Sequence, residues 1–435
     1  MVDGRLVSIL TLGCKLNLAD SGAIGRALAA SGLRVTEHLC EADAVVVNTC
    51  TVTSTADRKS RKLVRAARRL SPQAMIAVTG CFPESAGEEL VLSLGADIIA
   101  GTGKTNRDLV VGRLVEHLSG SHRAEDARRS QSTPSAGERV FVEAQSGCND
   151  VCAFCIIPRT RGRERSRPPA EISEEINTAA ASGAQEAVIT GTQLGAWGRD
   201  SGSDSGGPEG LVSHLLENTE IARLRFSSLQ PQDITPALLG LWNDPRLQPH
   251  FHLALQSGSD RILGAMRRRY SARDFRLAAA RIHAALPDAA ITTDVIAGFP
   301  GETDSDFDGT IALCREVGFA RIHAFPFSPR RGTLAAAMAE EVEQAKKRER
   351  IAALLELGAE LGTRFRARFL GTERPVLWEA RREPHASSER GDVRGYTDNY
   401  IRVSSAAPAG LAGKITPARL VAAQGELTLA EPLPA

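Results

Sequence analysis

Cys148, Cys152 and Cys155 fall within the stretch Ser146–Cys155, SGCNDVCAFC, in a C-x3-C-x2-C spacing. Three thiolates this close can face one metal centre. A structural zinc site closes a tetrahedron of four protein ligands. No fourth Cys or His lies near, and the flanking histidines, His122 and His214, are distant in sequence. On a cube-shaped [4Fe–4S] cluster, three thiolates leave one iron without a protein ligand. Such an open iron is what a small chelating cofactor needs. The alternative is an incomplete zinc knuckle or three loose thiols.

A second set of cysteines is spread along the chain. In residues 1–118, the apolar runs Val7–Leu12, Ala44–Val47, Met75–Val78 and Asp97–Ala100 alternate with helical patterns at Asp20–Ser31, Ala56–Leu70 and Pro83–Leu94. That alternation predicts an open parallel α/β sheet. Three of the runs lead to a cysteine: TLGC at Cys14, NTC at Cys50 and TGC at Cys81. Ligands of open α/β sheets collect at the carboxyl ends of strands, so these thiols can converge into a second three-thiolate site. Cys40 and Cys314 lack such a context and read as packing residues.

The elements that position the first triad begin at Arg139. Six strands are expected: Val140–Ala144, Ala187–Thr190, Leu224–Ser227, His252–Leu255, Ile291–Ile296 and Ile322–Phe327. Helical stretches lie between them, which makes a partial (β/α)6 barrel over residues 139–366, with its site at the carboxyl ends of the strands. Each strand is followed there by polar or Gly-rich text. Gly191 and Thr192 offer close backbone approach to a ligand. Ser228 lies in SSLQP, Gln256 ends the fourth strand, and Gly298 and Gly301 bracket a helix start. Asp294 is a charge inside an apolar strand; a buried carboxylate wants a partner, here a cofactor hydroxyl or an arginine. Phe154 precedes the last cysteine of the loop.

Residues 119–138 are polar and rich in Ser, Gly and Arg, and read as a linker. Residues 367–435 hold short β runs with Gly and Pro punctuation, which predicts a small antiparallel β-barrel. Arg58, Lys59, Arg61, Lys62, Arg65, Arg68 and Arg69 fall in twelve residues with no acid among them. As a helix they present a basic face of the kind that lines an RNA backbone. Leu63, Ala67 and Leu70 form the other face.

The chain has 435 residues and a net charge of +1. No apolar run is long enough to span a bilayer, so no membrane role is expected. The first residues do not read as a signal peptide. Eight cysteines in a chain this long do not make a disulfide scaffold. Clustered as they are, they suggest metal in a reducing, cytoplasmic setting.

These pieces together resemble a family. TLGCKLNLADS, NTCTVTSTADRKSR, VTGC, GCNDVCAFCIIPRTRGRERSRP, LQSGSDRILGAMRRRY, TDVIAGFPGET and GYTDNYIRV are similar to motifs of the radical S-adenosylmethionine (SAM) methylthiotransferases. The resemblance covers nearly the whole chain. It implies an N-terminal methylthiotransferase domain, a radical SAM partial barrel and a C-terminal TRAM-like RNA-binding domain. It implies two [4Fe–4S] clusters, with SAM held at Cys148, Cys152 and Cys155 and an auxiliary cluster at Cys14, Cys50 and Cys81. SAM cleavage at the first would give a radical acting at C2 of an adenine, and the second would carry the methylated sulfur. The bacterial branch that modifies N6-threonylcarbamoyladenosine at tRNA position 37 is most similar. Relatives acting on N6-isopentenyladenosine or on a ribosomal-protein aspartate are alternatives. A non-catalytic RNA-binding iron–sulfur protein is an alternative of another class. The implied partners are tRNA through its anticodon stem-loop, an electron donor and a sulfur source. Asn17, Arg58, Lys59, Arg61 and Arg65 are the expected substrate contacts, with Arg58 and Lys59 placed to meet the threonylcarbamoyl carboxylate. Gly22 and Gln230 stand where the family often has acids.

Overall fold

The computed structural model describes residues 5–36, 38–120, 138–200, 206–379, 393–406 and 410–434. Its N-terminal sheet is built from β1 (Leu6–Thr11), β2 (Arg34–Thr36), β3 (Ala44–Thr49), β4 (Met75–Gly80) and β5 (Ile98–Ile99). The spatial order is β2-β1-β3-β4-β5, and every pair is parallel. β3 is buried along its whole length, as a continuous AVVVNT run demands of a central strand covered on both faces. Successive side chains alternate between those faces. Val46 joins Val7, Ile24 and Val110 on one side, while Val45 and Val47 join Val64, Ile76 and Phe82 on the other.

Two helices carry residues of interest, α1 (Lys15–Ala30) and α2 (Ser54–Leu70). α1 starts earlier than the expected Asp20 because Cys14 itself takes the N-cap position. The helix expected at Pro83–Leu94 is two short ones, Cys81–Ala86 and Glu88–Ser93, broken at Gly87, whose φ is +84°. The helix Lys104–Gly120 includes the first residues of the expected linker. Residues 121–137 lie outside the described residues.

The second layer holds β6 (Arg139–Ser146), β7 (Arg165–Ser166), β8 (Glu186–Gly191), β9 (Arg223–Phe226), β10 (Ser228–Leu229), β11 (His250–Leu253), β12 (Ala290–Ala297) and β13 (Arg321–Pro326). They form two sheets, β7-β6-β8-β9 and β10-β11-β12-β13. The sheets meet where the Gln248 amide donates to the Leu224 carbonyl at 2.9 Å. The six long strands coincide with the expected ones to within two residues and run parallel, which gives the partial barrel. β7 adds an antiparallel edge.

The C-terminal unit is a closed barrel of β14 (Glu373–Glu379), β15 (Val393–Thr397), β16 (Arg402–Ser405), β17 (Ile415–Gln424) and β18 (Leu427–Pro432). Its pairs are antiparallel except β16 with β18. A closed ring of five strands cannot alternate throughout, so one parallel pair is unavoidable. This unit covers the amino ends of the large barrel's strands. Arg223 donates to the carbonyls of Pro375 and Tyr396 at 2.8 and 3.2 Å, and Tyr400 stacks on His250 at 4.1 Å. A cavity lined by Trp242, Pro249, Pro375 and Thr416 lies in this seam, away from every cysteine of the two triads.

The carboxyl ends meet the N-terminal domain. Thr102 Oγ1 donates to the Thr160 carbonyl at 2.7 Å, and Arg330 pairs with Asp57 at 2.8 Å. Arg26 pairs with Glu175 across the same seam.

Candidate functional site

The scattered triad converges. β1, β3 and β4 are neighbours in the sheet, so the turns after them put Cys14, Cys50 and Cys81 at one edge. Two glycines make this possible. Gly13 and Gly80 have φ of +138° and +97°. A Cβ on Gly13 would lie 2.4 Å from Asn17 Oδ1, and one on Gly80 2.4 Å from the Thr49 carbonyl. Asn17 is the clamp of this corner. Its Oδ1 accepts from the Cys14 amide at 3.3 Å, and its Nδ2 donates to Asn48 Oδ1 at 2.8 Å and the Thr49 carbonyl at 3.1 Å. Asn17 is wholly buried. Expected as a substrate contact, it instead has its side-chain amide taken up within this corner by Cys14, Asn48 and Thr49. Ser60 holds Cys50 from both sides: its Oγ accepts from the Cys50 amide at 3.3 Å and donates to the Cys50 carbonyl at 2.8 Å.

The loop triad is fixed by other partners. The Cys148 amide donates to the Gly162 carbonyl at 3.1 Å, and Cys148 Sγ lies 3.2 Å from Gln193 Oε1. Arg268 Nη1 donates to Cys152 Sγ at 3.3 Å. Phe154 packs edge-on against Phe299 at 6.5 Å. Burial foremost, with the neighbouring Cys152 and Cys148 thiols, pushes the Cys155 thiol up to about 12. Burial likewise lifts Cys50 to about 11, with Cys14 and Cys81 adding to the effect. Thiols that oppose one another's ionisation in this way become thiolates only against a bound cation.

The donor sets fit iron–sulfur clusters better than zinc. A tetrahedral zinc with bonds of about 2.3 Å holds its sulfurs about 3.8 Å apart. In neither triad do all three sulfurs lie within 4.8 Å of one another. That is wider than the sulfurs of one tetrahedral zinc. The surroundings of the loop triad also fit a chelating ligand. Thr192 Oγ1 and Gln193 Nε2 are buried without a hydrogen-bond partner, which is costly unless a ligand supplies one.

The other expected cofactor residues separate into two groups. Gly191 is buried beside Gln145, Ser228 is half-buried on β10, and Gln256 holds the left-handed region at φ +65°. A non-glycine residue there carries strain, which clusters at ligand sites. The amides of Gly298 and Gly301 are already taken, by Glu302 at 2.6 Å and by the Glu340 carbonyl at 2.8 Å. These two glycines can give a cofactor close approach but no free donor.

Among the described residues, Asp294 pairs with two histidines rather than with an arginine. His252 Nε2 lies 3.3 Å away and His323 Nδ1 3.2 Å away. The reason is register: neighbouring strands bring both imidazoles to the lumen beside it. Burial alone would raise the carboxyl, but hydrogen bonds from the two rings overcome it and hold the group well below the usual carboxylate range.

Lys15, the residue after Cys14, was not foreseen. Its side chain reaches the barrel lumen, where Arg225, Glu186, Arg139 and Asp294 from four strands all act on it. Burial, and then Arg225, lower its pKa to about 8. It makes no hydrogen bond or ion pair among the described residues.

The basic helix is only partly as expected. Arg58, Lys59, Lys62, Arg65 and Arg69 are exposed. Arg61 is half-buried with its guanidinium 5.9 Å from the Phe82 ring. Arg68 is structural, donating to the Gly95 and Ala74 carbonyls at 3.0 and 2.9 Å and pairing with Asp97 at 2.5 Å. Leu70 is exposed rather than packed. Cys40 is exposed too, whereas Cys314 is buried as expected of a packing residue. No helix among the described residues is long and apolar enough to cross a membrane.

Residues 6–101 match the family described as "Uncharacterized protein family UPF0004", and residues 142–314 match the Radical SAM superfamily. The chain is 34% identical over 430 residues to the threonylcarbamoyladenosine tRNA methylthiotransferase MtaB of Bacillus subtilis (strain 168), covering 96% of this chain and 94% of that one. It is 33% identical to the enzyme of that name from Thermotoga maritima, over 92% and 91% of the two chains. It is also 36% identical over 388 residues to the tRNA-2-methylthio-N(6)-dimethylallyladenosine synthase of Thermobifida fusca, over 87% and 78%. Among solved structures, the radical SAM methyltransferase TsrM from Kitasatospora setae superposes with a TM-score of 0.54 at 15% identity, covering 74% and 75%. That likeness concerns the fold alone.

Proposed function

The chain belongs to the radical SAM methylthiotransferases, and from that premise we propose that it inserts a methylthio group at C2 of N6-threonylcarbamoyladenosine at position 37 of tRNA. The observation that carries this reading is the closeness of two open three-thiolate sites. The short helix that begins at Cys81 packs on the turn Ile157–Thr160, which starts two residues after Cys155. Arg161, which touches Cys81, lies six positions after Cys155, and so short a stretch spans at most about 20 Å. Both sites can therefore serve one substrate atom.

Bound [4Fe–4S] clusters and SAM would supply the radical at one site and the sulfur at the other. The protein's part is to hold and shield. Cys148, Cys152 and Cys155 would hold the SAM-binding cluster, with Thr192 and Gln193 as donors to SAM. Cys14, Cys50 and Cys81 would hold the auxiliary one. The three-domain division at residues 118, 139 and 367 follows from the same reading, with the C-terminal barrel as a TRAM-like RNA-binding unit.

For the substrate's side group, Lys15 is the better-placed cation. Arg58 and Lys59 project from the exposed start of α2, whereas Lys15 is an unpaired ammonium beside Cys14 at the lumen. A site built to pair a charged group discriminates strongly against a substrate that lacks it. The threonylcarbamoyl group carries a carboxylate; isopentenyl does not. Reconstituted enzyme given tRNA with one or the other modification should yield methylthio product, read by mass, from the threonylcarbamoyl tRNA alone. Product from the isopentenyl tRNA alone would reverse the assignment. Lys15→Met should raise KM for the threonylcarbamoyl tRNA by about tenfold or more, with SAM cleavage unchanged.

Exposed cations of three elements gather at this end of the molecule. The start of α2 meets the 328–333 loop through Ser54 and Ser328 at 3.0 Å, and Arg159 reaches the Arg331 carbonyl at 3.5 Å. We take Arg58, Lys62 and Arg65 as tRNA phosphate contacts. Reversing the three charges should weaken tRNA binding and flatten the salt slope by roughly one for each phosphate no longer neutralised. The same change at Arg68 should instead cost stability, through the carbonyls it serves. A folded triple variant with wild-type affinity and salt slope would make α2 an ordinary solvated helix.

A further inference from the structure

Arg161 has an unmet donor next to the second cysteine triad. It is 2% exposed. Its Nη2 donates to Asp20 Oδ2 at 3.1 Å. Asp20 also takes Arg107, whose Nη1 reaches Glu143 Oε2 at 2.6 Å. Two arginines and two carboxylates thus form a buried, balanced network across α1, the helix Lys104–Gly120 and β6. Within it Arg161 Nη1 has no well-formed hydrogen bond. The guanidinium lies against Cys81 and Cys14, near enough to Cys81 for a looser hydrogen bond.

A buried charged donor without an acceptor is expensive and rare. Nothing in the network needs Nη1 to be free. The guanidinium's neighbours besides Asp20 and Glu143 are the thiols of Cys81 and Cys14 at the carboxyl edge of the sheet. We propose that Arg161 is a positioning residue for the sulfur-bearing group at Cys14, Cys50 and Cys81. It donates Nη1–H to a sulfur of that group and keeps a positive charge beside it. This rests on the reading that the triad holds an iron–sulfur cluster.

The chain connection adds a reason for its place. Arg161 ends the short segment that begins at Cys155, so one short stretch contacts both cysteine sites. Its neighbours of like charge do not share the role, since Arg159, Arg163 and Arg165 are exposed. The sequence shows five alternating arginines from Arg159 to Arg167; the fold turns only Arg161 toward the sulfurs.

The reduction potential of an iron–sulfur cluster follows its net charge and the hydrogen bonds to its sulfurs. The test uses the full chain with Cys148, Cys152 and Cys155 changed to alanine, reconstituted anaerobically, so that only the second triad can hold iron. Arg161→Met should leave iron content near that of the parent and move the midpoint potential negative. The expected shift is at least tenfold in the oxidised-to-reduced ratio, 59 mV for a one-electron couple. Arg161→Lys, which keeps the charge without the fork, should recover part of the shift. Asp20→Asn serves as the structural control: it disturbs the same network but removes a negative charge, so the potential should not fall. In the otherwise wild-type enzyme, Arg161→Met should lower methylthio transfer while 5′-deoxyadenosine release persists. An unchanged potential in iron-loaded Arg161→Met and Arg161→Lys would overturn the inference while leaving the cluster reading intact. Failure of the parent to load iron at all would overturn both.

Discussion

With Cys14, Cys50 and Cys81 changed together to alanine, the reconstituted protein will make no methylthio-tRNA yet will still release 5′-deoxyadenosine from SAM. Its iron will fall by about half, from about eight to about four atoms per chain if each triad holds a four-iron cube. The two functions separate because the hydrogen bonds that hold the two triads run to different residues. Cys148 and Cys152 are held through Gly162, Gln193 and Arg268. Cys14 and Cys50 are held through Asn17 and Ser60. Those last contacts run through backbone amides, which alanine keeps, so the corner should stay folded. The loop triad changed to alanine should behave differently and lose both deoxyadenosine and product. Absence of deoxyadenosine in the first variant, with the loop cluster seen spectroscopically, would contradict the division of labour.

The strand-end cysteines were legible because parallel strands read as continuous apolar runs and each run stops at a polar Cys turn. The barrel strands were legible for the same reason. What the sequence hid is register. Asp294 announced a need for a partner, but only the alignment of β11, β12 and β13 shows the partners to be His252 and His323. Asn17 lies inside a motif that suggested substrate, yet its amide is used up between Cys14 and Thr49. Arg68 shares a helical face with Arg58 and Arg65, but it turns back on a loop 27 residues away at Gly95. Lys15 and Gln193 adjoin expected site residues and could have been found by asking what lies beside them. Arg161 could not, since nothing in an alternating run of arginines marks the one that turns inward. The outcomes for Cys40 and Leu70 show the limit of reading burial from residue type on a short 3-10 turn or a helix end.

Glu186→Ala should be among the most destabilising single changes in the protein, at about 3–5 kcal/mol. Glu186 is 1% exposed at the start of β8. Arg225 donates to it through Nε and Nη2 at 3.1 and 3.0 Å, while Arg139 and Arg223 stand at 3.9 and 4.0 Å. One carboxylate therefore faces three guanidinium groups beneath the lumen, of which Arg139 also pairs with Glu379. Alanine would leave those charges facing one another without water, and breaking a buried pair from one side costs far more than the pair contributes. The damage should spread to the C-terminal barrel. Arg225 also donates to the Asp398 carbonyl at 3.1 Å and lies 4.8 Å from the Tyr400 ring. Burial would raise the Glu186 carboxyl, but Arg225 and then Arg139 outweigh it and hold its pKa below the ordinary value. A carboxyl depressed in the folded state stabilises fully above its unfolded pKa of about 4.3, and that stability is lost as pH falls through the folded value. Wild-type stability should accordingly drop on acidification below about pH 4, and the part due to Glu186 should be missing from Glu186→Gln. Glu186→Gln keeps one acceptor and should fall between wild type and alanine. A denaturant midpoint for Glu186→Ala within error of wild type would mean that the three arginines find other partners. It would also remove the reason given for the electrostatic setting of Lys15.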